Sequence, residues 1–166
     1  MVYLITSLPS LSFNEEPPIT MDEFNSDAKK QLSPKDFKIL ESVDIRNFDH
    51  TIGIKSISSL LENTGKDLSE IREAKAQNRT AKPQQIPESV FQGNPLEREV
   101  NIMQWQWQQL QDIESANTFN LTEVLVYKLK LQLATRMHSF SREKGAEVLA
   151  SVVNPEKTRR AGNGRN

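Results

Sequence analysis

Residues 94–140 read NPLEREVNIMQWQWQQLQDIESANTFNLTEVLVYKLKLQLATRMHSF and hold much of the chain's apolar mass. The stretch opens with Asn94, Pro95 and Glu97, which supply an N-cap oxygen, a proline at the first helical position and a carboxylate near the positive helix end. The apolar residues that follow recur at spacings of four, three, four and three: Leu96, Val100, Met103, Trp107 and Leu110. Because this spacing puts all of them on one helix face, it predicts a helix over 95–116 with that face buried.

The second half of the stretch, Leu121 to Phe140, is apolar almost all round. Within it, residues 129–133 alternate between leucine and a polar side chain, a pattern that alone is typical of a half-buried strand. The segment is twenty residues long, contains no glycine or proline, and is rich in leucine rather than in β-branched residues, which favours a helix. A helix that is apolar on every side is usually the central one. We therefore predict an all-α fold built around two long helices, about 95–116 and 121–140.

Two shorter helices are predicted near the start of the chain. Thr20 and Glu23 have the spacing of a capping box, in which each side chain accepts the other residue's backbone N–H, and this predicts a helix to about Gln31. Ser33 followed by Pro34 predicts the start of the next helix. Since so few residues separate them, we expect an angled pair or a hairpin.

Further helices are predicted on either side of the central pair. Residues 44–65 favour a helix or helical turns interrupted at Gly53, and residues 67–79 have the composition of a mostly solvated helix. After the pair, Ser141 is predicted to cap a final helix that stops before Pro155.

The predicted organisation is one compact helical domain of about five to seven helices over residues 1–153. Its short N-terminal segment, Val2–Phe13, is a strand or a broken helical turn that lies against the later helices. Residues 80–93 contain two prolines and a glycine and are the best linker candidate, which leaves open two sub-lobes, 1–79 and 94–153. Residues 154–166 are basic and are predicted to be a disordered tail.

The composition excludes several classes of function. Lysine and arginine total 21 against 22 aspartate and glutamate residues, so nothing indicates a nucleic-acid partner. The absence of cysteine excludes disulfides and thiolate metal sites. No apolar run is long enough to cross a bilayer, and the start of the chain lacks the features of a signal peptide. We expect a cytoplasmic protein that meets a membrane only through its partners.

Few residues have the pattern of a catalytic or metal site. His50 and His138 have no second ligand at metal-binding helical spacing, so both are interpreted as ordinary surface or core histidines. An enzyme that uses Asp49 and His50 is the weakest hypothesis, because no second element of a site can be named. The sequence therefore predicts a protein that is not an enzyme, with no cofactor, no metal and no small-molecule substrate.

One feature of the 95–116 helix points to binding. Trp105 lies nearly opposite the face that holds Trp107, so the helix buries two surfaces. Trp105 either packs on the N-terminal segment and first helices or anchors another protein, since tryptophan is enriched at interface hot spots. The residues proposed to bind a partner are Trp105, Arg98 and Glu99.

Three stretches carry a family resemblance. Residues 3–13 read YLITSLPSLSF, residues 94–99 read NPLERE with a tryptophan soon after, and residues 127–133 read YKLKLQL and are followed by Arg136. These three stretches resemble the sequences of a bacterial family. Its members are encoded among the genes of V-type (V/A-type) rotary ATPases, at the gene position expected for the C subunit, also called d. The resemblance runs from Tyr3 to about Val153 and is firmest from Asn94 to Arg136.

The resemblance implies a non-catalytic coupling or assembly subunit of a V-type ATPase. Such a subunit is an α-helical collar on the cytoplasmic face of the inner membrane, and it links the central stalk to the membrane rotor ring during proton or sodium transport. The chain is short for a subunit of that type, which usually has repeated helical lobes. The alternative is a free-standing helical adaptor that binds another protein.

Overall fold

The computed structural model describes residues 1–48 and 53–153, and its side chains up to residue 143. The elements in chain order are α1 Val2–Ser7, α2 Met21–Gln31, α3 Pro34–Ser42, α4 Lys55–Ala76, a 3₁₀ turn Glu88–Phe91, α5 Pro95–Ser115 and α6 Leu121–Val153. Across these described ranges there is no strand, which confirms the predicted all-α class. The six α-helices fall within the predicted number.

The predicted helix starts are confirmed at atomic detail. At α5, the side chain of Asn94 accepts the N–H of Glu97 at 2.9 Å, and the Glu97 carboxylate accepts the N–H of Asn94 at 3.1 Å. The same reciprocal box joins Thr20 and Glu23 at the start of α2. Each cap satisfies backbone donors that a helix leaves unpaired at its N-terminus.

The last long helix, α6, is the centre of the fold, as its composition predicts. Its apolar side chains are buried on several sides at once: Val124, Leu125, Val126, Leu129, Leu131, Leu133, Ala134 and Met137. They share one hydrophobic core with Leu4 of α1, Phe24 of α2 and Leu40 of α3. The core therefore joins the first helices to the last, and the alternation at 129–133 is part of a helix.

Two lysines of α6 are buried together with these apolar residues, and each meets a specific acceptor. Lys128 Nζ donates to the carbonyl of Leu40 at 2.7 Å, at the C-terminal end of α3, where the last carbonyls lack the usual N–H donor four residues on. Burial lowers the pKa of Lys128. Lys130 Nζ donates to the carboxylate of Glu114 at 2.7 Å and lies 4.8 Å from the ring centre of Trp107. The polar positions of the alternating stretch thus hold neighbouring helices in place.

Two predicted interruptions are wrong. Residues 55–76 form one helix that passes through Gly65, so the separate segments predicted before and after that glycine are continuous. Glycine costs a helix only about 1 kcal/mol, which packing on both sides readily offsets. Likewise, Ser141 does not begin a new helix, because α6 continues from Leu121 to Val153. Residues 137–144 contain neither glycine nor proline, so nothing local ends the helix there.

The N-terminal segment is helical at Val2–Ser7, which settles the choice between a strand and a helical turn. Leu4 is fully buried in the core, whereas Tyr3 is 73% exposed. A helix this short turns only one side towards its neighbours, so adjacent residues cannot both be buried. Phe13 is buried as predicted and packs on Trp107, with ring centres 5.6 Å apart.

The segment predicted as a linker, residues 80–93, is tied to α4. The buried carboxylate of Asp67 accepts three consecutive backbone N–H groups, from Gln84, Gln85 and Ile86, at 2.7 to 2.9 Å. Nearby, hydrogen bonds from the side chain of Arg79 and the N–H of Lys82 lower the pKa of Glu70 to about 2. Ile86 is only 2% exposed. The proline-rich stretch is therefore part of the folded structure.

Among the described helices, none combines the length and apolar character needed to cross a bilayer. The predicted tail, residues 154–166, lies outside the described residues.

Candidate functional site

A groove of about 520 Å³ opens between α4, α5 and α6, and we call it the arginine groove. Its lining residues include four arginines from four parts of the chain: Arg46 after α3, Arg72 of α4, Arg98 of α5 and Arg136 of α6. The only carboxylate among its described lining residues is Glu99. A chain with a net charge of −1 thus concentrates positive charge at this one site.

The floor of the arginine groove is apolar. Its large side chains are partly exposed and do not belong to the main core: Phe48, Leu68, Ile71, Phe91 and Ile102. Leu133, which is buried, closes the bottom from α6. Partly exposed apolar side chains that are grouped together and rimmed by polar residues are typical of a binding surface.

The four arginines of the groove differ in their hydrogen-bond and ion-pair partners. Arg136 donates to Glu99, and its guanidinium carbon lies 5.2 Å from the ring centre of Phe140. Arg98 has a buried Nε atom without a hydrogen-bond partner. Arg46 and Arg72 are exposed and form no ion pair within the described part of the chain. Three of the four arginines therefore have no carboxylate partner within the described residues.

Two contacts position the wall of the groove that follows α3. The Gln132 side chain of α6 accepts the backbone N–H of Ile45 at 2.9 Å, which fixes the residue next to Arg46. Phe48 lies against Gly65 of α4, where the missing side chain leaves room for its ring. Arg46 is thus carried by backbone that is held to α4 and α6.

The chemistry of the lining suits binding. Arginine presents a planar set of donors that matches a carboxylate or phosphate, and it stays charged at all ordinary pH values. General acid or base catalysis needs a group whose pKa lies near the working pH. The described lining offers no histidine, hydroxyl or lysine, and its one carboxylate is engaged by Arg136. The arrangement can therefore hold an amphipathic anion.

The predicted partner-binding residues fall into two neighbouring sites. Arg98 and Glu99 line the arginine groove. Trp105 instead lines a separate groove of about 400 Å³ together with Leu60 and Asn63 of α4. It is partly buried and packs against the hydrophobic core, while this groove leaves one of its sides beside α4.

The sequence reasoning missed Arg46 and Arg72 and assigned no site role to Arg136. These residues lie on different elements, and no local spacing links them. The only sequence signal was the presence of Arg98 and Glu99 at the start of a strongly capped helix.

His138, the one described histidine, does not form a candidate catalytic or metal site. His138 is partly exposed, with its Nε2 atom 3.8 Å from the carboxylate of Glu16. His50 and Asp49 lie outside the described residues. Among those that are described, no three histidine, aspartate or glutamate side chains are grouped as metal ligands would be.

Comparison with known proteins gives one match. Residues 84–158 are similar to a family model described as a protein of unknown function, DUF2764. The match covers slightly less than half of the chain, including all of α5 and α6, and so contains Arg98, Glu99 and Arg136 but neither Arg46 nor Arg72. No curated protein and no solved structure matches the chain.

Proposed function

We propose that this chain is a non-catalytic coupling or assembly subunit of a V-type ATPase, at the position of the C (d) subunit. The observation that carries the binding part of the proposal is the arginine groove, whose lining can hold an anion but offers little for catalysis. The assignment to a rotary ATPase is supported by the resemblance of residues 3–13, 94–99 and 127–133 to the bacterial family described above. In this role the protein is cytoplasmic and peripheral to the inner membrane, and it contacts the central stalk and the rotor ring.

The fold has the stiffness that such a role requires. A coupling subunit passes torque between two partners, so it must deform little under load. Here α6 is packed from several sides, and Lys128 ties it to the end of α3. Asp67 fastens the connection between α4 and α5 through three hydrogen bonds. Closely packed interiors of this kind transmit strain well.

The alternative is a free-standing helical adaptor. It is supported by the grouping of arginines and partly exposed apolar side chains in one groove, which is typical of a binding surface. An adaptor would use the same arginine groove, since that surface does not depend on a rotary machine.

Co-purification distinguishes these two functions. A tagged copy of the full chain is expressed in its own cells, extracted in mild detergent, and its stable partners are identified by mass spectrometry. We expect stalk and ring subunits of a rotary ATPase in a fixed ratio to the chain. Stable recovery of another protein without any ATPase subunit would favour the adaptor, and the lack of any stable partner would contradict both.

A further inference from the structure

We infer that the arginine groove receives an acidic amphipathic helix from a partner protein. This inference rests on the proposed function in one respect, namely that the chain acts by binding another protein. It adds the chemistry of the partner: carboxylates for the rim and apolar side chains for the floor.

Charge complementarity is the first argument. Four arginines from separate elements surround the groove, and only one carboxylate, Glu99, lines it. Arg46, Arg72 and Arg98 have no ion pair within the described residues, and the Nε atom of Arg98 is buried without an acceptor. Since the positive groups lie on several sides, a ligand with a single charge would engage only part of them. A partner that carries several carboxylates fits all of them.

The shape of the groove is the second argument. Its lining follows α5 from Pro95 to Gln106, which at the rise of an α-helix is about 16 Å. That length matches about three turns of a partner helix. Phe48, Ile71 and Phe91 are among the lining residues, and apolar anchors spaced three and four residues apart on a partner helix can pack against them.

The chain itself supplies a poor occupant from its own C-terminus. Residues 154–166 contain four lysine and arginine residues and a single glutamate, so their charge is of the wrong sign. A second copy of the chain is another possible occupant, because Asp22, Glu23 and Asp27 of α2 form an acidic surface around Ile19. The experiment below therefore includes the oligomeric state.

Fluorescence anisotropy with synthetic peptides tests the inference on the full chain. The first probe is a labelled helical peptide of about fourteen residues, with leucines on one face and glutamates on the other. The second has lysine in place of every glutamate. We expect the acidic peptide to bind more weakly as salt is raised, and the basic peptide to bind at least tenfold more weakly than the acidic one.

Charge reversal then locates the binding site. Arg72→Glu, at an exposed position, and Arg98→Glu are each expected to weaken binding of the acidic peptide at least tenfold. Lys29→Glu makes the same charge change on the exposed surface of α2 and should alter the affinity less than twofold. A double variant, Arg72→Glu with Arg98→Glu, should bind the lysine peptide in preference. Circular dichroism and thermal melts of each variant show that the fold is kept; if Arg98→Glu fails to fold, Arg72→Glu alone decides.

Three results would overturn the inference: equal binding of the two peptides, no binding of either peptide, or an affinity that Arg72→Glu leaves unchanged. Sedimentation provides a fourth, because a dimer that Arg72→Glu dissociates would make a second copy the occupant. The experiments distinguish a failure of this inference from a failure of the proposed function. If ATPase subunits co-purify while the acidic peptide does not bind, the groove inference fails alone, and if the peptide binds without any ATPase subunit being recovered, the coupling role fails alone.

Discussion

Gly65 in the middle of α4 lies directly against Phe48, so that a Cβ atom added to the glycine would be 2.5 Å from the Cβ atom of Phe48. That distance is far below van der Waals contact, and the atom it meets is next to the backbone, where a side-chain rotation cannot move it away. The contact holds the segment that carries Arg46 against α4. A glycine that is unremarkable by sequence therefore shapes one wall of the arginine groove.

The first prediction follows from this contact. In an ordinary helix, glycine to alanine is stabilising by about 1 kcal/mol. We expect Gly65→Ala instead to destabilise the protein by about 1–3 kcal/mol, because the added methyl forces Phe48 and its backbone outward. Urea unfolding measures the change. Gly53→Ala, before the start of α4, is a control for adding a methyl group, since a Cβ there meets no atom of the described residues within 4 Å. A stabilising Gly65→Ala would refute the contact.

The second prediction concerns the carboxylate of Asp67, which is 2% exposed and accepts the N–H groups of Gln84, Gln85 and Ile86. Asp67→Ala leaves these donors without their acceptor, and we expect a loss of about 2–4 kcal/mol in the free energy of unfolding. Hydrogen exchange should show faster exchange of the same three amides. Asp112→Ala removes an exposed carboxylate from α5 and should change stability by less than about 0.5 kcal/mol. Unchanged amide protection in Asp67→Ala would contradict the predicted role.

The third prediction is a titration. The Tyr127 hydroxyl donates to the carbonyl of Pro9 at 2.7 Å, and burial raises the pKa of Tyr127 to about 12. Because the folded-state pKa lies above the unfolded value of about 10, the contribution of Tyr127 to stability is complete below pH 10 and is lost as the pH rises from 10 to 12. The absorbance at 295 nm of the wild type minus that of Tyr127→Phe isolates this phenol, since Tyr3 contributes to both. A midpoint near 10 would show that the hydroxyl is solvated.

The fourth prediction compares the two tryptophans of α5. Trp107 is 5% exposed and contacts Phe13 and Lys130, so Trp107→Ala should cost about 3–5 kcal/mol. Trp105 is only partly buried, and we expect Trp105→Ala to cost about 1–2 kcal/mol while weakening recovery of the partner. Thermal melts and the co-purification described above give the two readouts. A loss of stability as large as that of Trp107→Ala would make Trp105 a core residue without an interface role.

Local features of the fold could be predicted from the sequence, because their causes lie within a few residues. The starts of α2, α3 and α5 depend on a cap and a first turn, and each begins where Thr20, Ser33 and Asn94 predict. The central position of α6 follows from its composition alone. The prediction failed at Gly65, where packing offsets the cost of glycine, and at Ser141, where a possible cap residue was weighed above the lack of any glycine or proline that would end α6.

The arginine groove could not be predicted from the sequence. Arg46, Arg72, Arg98 and Arg136 are brought together only by the packing of α4, α5, α6 and the segment after α3, and they are too far apart along the chain for a local pattern to link them. The near-zero net charge of the whole chain also concealed the local excess. Arg98 and Glu99 were identified as candidates, but the arginines that complete the site depend on tertiary structure.

The buried ammonium of Lys128 has a consequence for any attempt to divide the molecule. Its acceptors, the carbonyls of Leu40 and Glu41, belong to α3, whereas the lysine itself lies in the segment that matches the DUF2764 family model. A fragment of residues 84–158 would expose a charge and an apolar surface that α1 to α3 now cover. The matched segment is therefore not expected to fold by itself. A fragment made for study must also include α1 to α3.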